Sequence, residues 1–120
     1  MELYGSESHQ VAMSYVNIAA TLRNKEKYDL ALEYFHRALQ IEIDVYGENH
    51  PEPVYTTLSI AYVHKLTGEN EKAEEYYLKG YQIIRDLFGD DNHETRDALG
   101  RVTRFYEDTG QPEKIEALIQ

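Results

Sequence analysis

GENHPEPVYTTLSIAYVHKLTGENEKAEEYYLKGYQIIRDLF, from Gly47 to Phe88, is the stretch that decides the fold. It reads as one helix, a turn at Thr67-Gly68 and a second helix, and the residues on either side are two less complete copies of it. Tyr4-Gly5, Tyr46-Gly47 and Phe88-Gly89 follow one another at a constant step of 42 residues. The same step links Ile18, Ile60 and Val102; Ala19, Ala61 and Thr103; Ala31, Ala73 and Ile115; and Phe35, Tyr77 and Ile119. In the first two copies it also joins Ala38 to Gly80 and Ile41 to Ile83. A fixed period of roughly 20–50 residues marks an array in which each unit buries its apolar face only by stacking on the next. The repeats are expected at about 5–46, 47–88 and 89–120.

Outward from the middle copy, a first helix is expected from about Glu7 to Asn24, capped by Ser6 or Ser8. Val11, Ala12, Tyr15, Val16, Ala19 and Leu22 recur there at three- and four-residue steps. A second helix runs from about Tyr28 to Tyr46 with Ala31, Tyr34, Phe35, Ala38 and Leu39 on one stripe. Gly47 ends it, taking a left-handed conformation. Pro51 and Pro53 belong in the first turn of the third helix, where proline costs no hydrogen bond. Asn70 is the expected cap of the fourth, which carries Ala73, Tyr76, Tyr77, Gly80, Tyr81 and Ile84. A fifth spans about Asn92 to Asp108, and Pro112 opens a short closing helix, truncated against its counterparts. Leu3-Tyr4-Gly5 matches the ends of two long helices, so residues 1–4 read as the remnant of a preceding helix and the chain as a piece of a longer array. A native N-terminus that frays is the alternative. Nothing reads as a strand: the fold is all-α, about six helices in three antiparallel pairs, in one domain over residues 1–120.

Composition narrows the function. Net charge is −10, which argues against nucleic acid and against an anionic membrane, since both need clustered Lys and Arg. Cysteine is absent, so there is neither a disulfide framework nor thiol chemistry. No apolar run has the length of a membrane span, and MELYGSESHQ lacks the features of a signal peptide, so a cytoplasmic protein is expected. There are 11 Tyr and no Trp, which suits a thin array with many positions half packed and half wet.

The pairing of small residues is more diagnostic than the length. Each first helix has a bulky-then-small pair (Ile18-Ala19, Ile60-Ala61). Each second helix has an alanine, an aromatic and a small residue: Ala31, Phe35 and Ala38, then Ala73, Tyr77 and Gly80. Antiparallel helices approach closely only where side chains are small, and the aromatic fills the space beside the contact. This pattern resembles the tetratricopeptide repeat, and the longer period with the Tyr46-Gly47-Glu48-Asn49-His50-Pro51 element is similar to its kinesin light chain type. The third copy departs from it at Thr103 and Ile115, and the paired asparagines of the kinesin light chain first helix are replaced by Val16-Asn17 and Leu58-Ser59. The resemblance implies a right-handed α-solenoid that binds a peptide or protein segment in a concave groove lined by the first helix of each pair. Carried onto this sequence, the binding residues are Asn17, Arg23, Tyr55, Ser59, Tyr62, Lys65, Arg101 and Arg104. Over the wider set of groove positions, four cations face three anions, so the groove is expected to be neutral to mildly basic while the rest of the chain is acidic. The clamp with which some family members hold a C-terminal carboxylate is absent, because Met13, Ser59 and Asp97 stand where it needs charge or amide.

Tyr55 and Tyr62 lie two turns apart on one face, and Arg101 and Arg104 lie three apart on the next first helix. An aromatic patch beside two arginines suits an extended ligand with an aromatic or aliphatic anchor flanked by acidic residues. The bland alternative is that the tyrosines pack between repeats and the arginines pair with Asp97, Glu107 or Asp108. The function expected is therefore a scaffold or adaptor module for protein interaction, not an enzyme, with no cofactor. A regulator sensing a small signalling peptide is the second reading. A metal enzyme built on Glu33 and His36 is a distant third, since the matching second motif is lost at Leu78. His9, His50 and His93 read as capping or turn-packing residues. Exposed repeat ends are expected to favour self-association.

Overall fold

A computed structural model describes residues 6–119, with side chains from Ser8 onward, so the Tyr4-Gly5 position and the helix remnant expected at residues 1–4 lie outside the described residues. Five long helices are present: α1 (Ser6–Asn24), α2 (Tyr28–Tyr46), α3 (Pro51–Leu66), α4 (Asn70–Phe88) and α5 (His93–Asp108). A 3-10 turn at Pro112–Lys114 and the short α6 (Ile115–Leu118) follow. Among the described residues there is no strand. Each helix packs on its neighbours in sequence. The His9 ring at the start of α1 meets Tyr46 at the end of α2, and Tyr15 meets Tyr34 midway, so the pair is antiparallel.

Within each repeat the turn between the two helices is the same object. The residues are Glu26, Gly68 and Gly110, one period apart, and all have positive φ (61°, 81° and 75°). In each, the following N–H bonds back five residues: Lys27 to Leu22, Glu69 to His64, and Gln111 to Tyr106, at 2.9, 2.9 and 2.8 Å. A second bond closes Glu26 on Arg23, Gly68 on Lys65 and Gly110 on Glu107. This is the Schellman closure, which satisfies the last helical carbonyls and turns the chain back. Glu26 alone meets its demand without being glycine.

The turns between repeats differ. Gly47 (φ 86°, ψ 161°) and Gly89 (φ 82°, ψ 172°) do not adopt the left-handed helical conformation expected of Gly47. They sit in an extended region of positive φ that is essentially closed to other residues. The next helices are then capped as the repeat dictates: His50 Nδ1 accepts from the Glu52 N–H (3.1 Å), and Asn92 Oδ1 from the Glu94 N–H (2.8 Å). Two expected caps are absent. Asn70 is already the first residue of α4, and the Glu69 carboxylate before it is taken up by His64 and Thr67 at 3.0 and 2.9 Å. Ser8 lies within the first turn of α1, with its hydroxyl buried and unpartnered. A residue already in helical conformation cannot aim its oxygen at the N–H groups ahead of it.

Helix α3 is the centre of the molecule. Its Ile60 and Val63 share one core with Ala19, Ala31 and Phe35, while its Val54, Leu58 and Ala61 share the other with Ala73, Tyr77, Ala98 and Phe105. Ile60 is therefore fully buried, whereas its counterpart Ile18 is 42% exposed. The helices of the second repeat come close at Gly80, where an added Cβ would stand 2.8 Å from Leu58 Cδ2. One period earlier the equivalent positions hold Val16 and Ala38, a smaller residue than Leu58 and a larger one than Gly80. The two inter-repeat junctions are also fastened differently. At the first, Tyr46 stacks on His50 (4.5 Å between centroids) and its hydroxyl meets His9 Nδ1 at 2.8 Å. At the second, the matching Phe88 is exposed, and Arg85–Asp90 and Arg96–Asp91 ion pairs hold the turn.

Two substitutions test this account. Glu26→Gly should raise stability by about 1 kcal/mol, because left-handed backbone costs an L-residue roughly 1–2 kcal/mol and glycine returns part of that through its freer unfolded state; an unchanged or lower melting temperature would refute it. Gly80→Ala should destabilise, the crowding at Leu58 (about 1–3 kcal/mol) outweighing the gain of roughly 1 kcal/mol in helix propensity. Adding Leu58→Val should restore more stability than the single effects sum to, and strict additivity in denaturant titrations would sink the idea that this contact sets the spacing.

Candidate binding groove

Two cavities open along α3. The first, about 160 Å³, is lined by Met13, Val16 and Asn17 of α1, Glu42 of α2, and Glu52, Tyr55, Thr56 and Ser59 of α3. The second, about 250 Å³, is lined by Leu58, Tyr62 and Lys65 of α3, Tyr77 of α4, and Arg101 and Arg104 of α5. The eight residues singled out from the sequence thus divide between them. Asn17, Tyr55 and Ser59 line the first cavity, and Tyr62, Lys65, Arg101 and Arg104 the second. Arg23 reaches across from α1 to the Tyr62 ring.

The second cavity is organised around Tyr62, which is 40% exposed. The Arg23 guanidinium lies 5.6 Å from its ring centroid and the Lys65 ammonium 5.9 Å, within the range of cation–π attraction. Lys65 also pairs with Asp108 at 2.5 Å, Arg101 with Asp97 at 3.3 Å, and Arg104 with Asp108 at 4.0 Å. The Lys65 hydrogen bond and charge hold the Asp108 carboxyl below its usual range, with Arg104 adding to the effect. The sequence-based alternative of arginines paired with Asp97 and Asp108 is therefore realised, but the pairs are solvent-exposed and worth little. Arg23 has no carboxylate partner among the described residues. Burial pushes the Tyr77 hydroxyl up to about 12, so it stays a neutral donor at the floor.

The first cavity holds a residue that sequence reasoning passed over. Glu42 is only 5% exposed, and its Oε1 accepts from the Thr56 hydroxyl at 2.6 Å. Burial pushes its carboxyl up to about 7; the Thr56 hydrogen bond pulls the other way, and Glu52 adds a smaller push. A signal was available: the 42-residue step places Glu42 opposite Ile84, a core position. Ser59, in contrast, spends its hydroxyl on the Tyr55 carbonyl at 3.1 Å.

Other expectations resolve locally. Glu33 pairs with Arg37 at 3.2 Å and His36 lies edge-on to Tyr76. Among the described residues no group of three or more His, Asp or Glu could hold a metal ion. The charged residues of α4 pair outside the helix: Lys79 with Glu48 (2.8 Å), Lys72 with Glu69 (3.8 Å) and Glu74 with Lys114 (3.1 Å). No helix of the described residues is long and apolar enough to cross a membrane.

Antiparallel helix pairs, small residues at their contacts and a 42-residue period now stand together with a match of the tetratricopeptide repeat family model to residues 10–83. The chain belongs to the tetratricopeptide repeat family. The match covers most of the first repeat and most of the second, the two with intact small-residue contacts. A search of curated proteins returned no match. Tetratricopeptide repeats generally mediate protein–protein interaction and scaffolding, and the family is not a catalytic one.

Glu42 gives a pH signature. A carboxyl whose pKa rises from 4.5 to about 7 on folding holds its proton more tightly in the folded state. Its contribution to stability is therefore greatest below the unfolded value and declines as pH rises toward 7. Glu42→Gln, which keeps the acceptor for Thr56, should gain on the parent chain by about 1–3 kcal/mol between pH 5 and 8. Parallel melting curves across that range would show that Glu42 is not a strained carboxylate.

Proposed function

We infer that the face carrying Tyr62 binds an extended partner segment with an aromatic or aliphatic anchor flanked by acidic residues, making this a scaffold or adaptor module. The observation that carries the reading is Tyr62, exposed between Arg23 and Lys65 and beside Arg101 and Arg104 in one cavity. Four basic side chains there outnumber the two carboxylates that pair with them, Asp97 and Asp108, in a chain of net charge −10. A protein that is acidic elsewhere repels acidic segments from its other faces, so this cavity supplies both attraction and selectivity. Leu58 and Tyr77 form an apolar floor that takes the anchor, as a few buried contacts ringed by polar ones do at protein interfaces.

The test is a fluorescent peptide library with an aromatic or leucine anchor among Asp and Glu residues, with a matched Lys/Arg library as control. Acidic peptides should bind in preference, more weakly as salt rises. Arg101→Glu/Arg104→Glu should weaken them by tenfold or more while the circular dichroism spectrum and melting temperature stay near those of the parent, since only exposed ion pairs are lost. Equal binding of acidic and basic libraries, or an unaffected double variant, would overturn the assignment.

A further inference from the structure

The first cavity asks for a partner of its own. Glu42 occupies a position where the second repeat has Ile84, 1% exposed, so a carboxylate stands where the repeat plan calls for a hydrocarbon. One of its oxygens is engaged by Thr56; the other takes no hydrogen bond among the described residues. No lining element supplies a counter-charge. From α1 come Met13, Val16 and Asn17, and from α3 come Glu52, Tyr55, Thr56 and Ser59, so the cavity holds two acids and no base. A buried carboxylate without a cation costs stability that an isoleucine would not. The walls are apolar along Met13, Val16 and Tyr55, and the site is large enough for several waters and hence for the end of one long side chain.

We propose that this cavity receives a lysine side chain of the partner segment, its methylenes against Met13, Val16 and Tyr55 and its ammonium on the free oxygen of Glu42; the pairing with a partner segment rests on the groove reading above. Lysine is favoured over arginine because Thr56 already occupies one carboxylate oxygen, which removes the two-point pairing that a guanidinium exploits. Asn17 and Ser59 offer further oxygens to an ammonium with three N–H donors. The cavity also fixes the direction in which a segment lies. Tyr55 and Tyr62, which line the two cavities, are seven residues apart on α3, about 10 Å at the helical rise. An extended chain covers that in roughly three residues. The segment therefore carries lysine three or four residues from its acidic anchor, with the lysine toward α1 and the acids toward α5.

Met13 gives a direct readout, since the chain has only 2 methionines and this one lines the cavity. With methionine methyls labelled, N-acetyl-lysine-N-methylamide should shift the Met13 signal saturably, the norleucine analogue should not, and Glu42→Gln should abolish the response while remaining folded. Identical responses to the two probes, or a response that survives in Glu42→Gln, would overturn the proposal. In the peptide assay, lysine placed three or four residues from the anchor should improve affinity about tenfold over norleucine in the parent chain and not in Glu42→Gln; no gain at any spacing counts against a lysine on the segment. The two readings fail separately. A Met13 response alongside acidic peptides indifferent to Arg101→Glu/Arg104→Glu upholds the lysine cavity and removes the acidic groove, and the reverse pattern does the opposite.

Discussion

The whole array depends on how closely the two helices of a repeat can approach. Ala19 and Ala31 in one core, Ala61 and Ala73 in the other, have no side chain beyond Cβ, and Gly80 has none at all. Backbones so close leave room for one large group beside each contact, filled by Phe35 in the first pair and Tyr77 in the second. That spacing sets where the next first helix can land. Helix α3 consequently lies between α2 and α4, buried from both sides, and presents only a narrow strip to solvent. Tyr55, Ser59, Tyr62 and Lys65 are on that strip, so the packing constraint and the candidate groove have one origin.

Much of this was legible in the residues because a repeat is a sequence compared with itself. The 42-residue step located the helices, the small contacts and the centrality of the middle unit without reference to coordinates. Punctuation by proline and glycine was equally plain, since each restricts the backbone in a way that few structures accommodate. Chemistry that depends on rotamers was not legible. Whether Asn70 caps a helix depends on where the preceding turn releases the chain, and that turn hands it over one residue earlier. Glu26 reads as one polar residue in a polar connection until its alignment with Gly68 and Gly110 exposes the backbone it must adopt.

The site residues show the same division. Periodicity placed Tyr62, Lys65, Arg101 and Arg104 on first helices, and the fold gathers them because first helices are neighbours. It could not show that Arg23 crosses a repeat boundary to the Tyr62 ring, a contact set by side-chain length. Glu42 was hidden for a different reason. Glutamate on a second helix is ordinarily solvated, and only comparison with Ile84 reveals that this one faces inward. Departures from a repeat are thus more informative than agreement with it: agreement reports packing, and a polar residue in a core slot marks a place where packing has been given up.

The unlike fastenings of the two junctions bear on the mechanics of the array. Stacked rings at Tyr46 and His50 resist bending through contact and are indifferent to electrolyte. The exposed pairs of Arg85 with Asp90 and Arg96 with Asp91 weaken as counter-ions accumulate around them. The fastening at the first junction is therefore insensitive to ionic strength, and the one at the second is not. At both junctions the helices also share buried apolar side chains, Phe35 with Ile60 and Val63 at the first and Tyr77 with Val102 and Phe105 at the second.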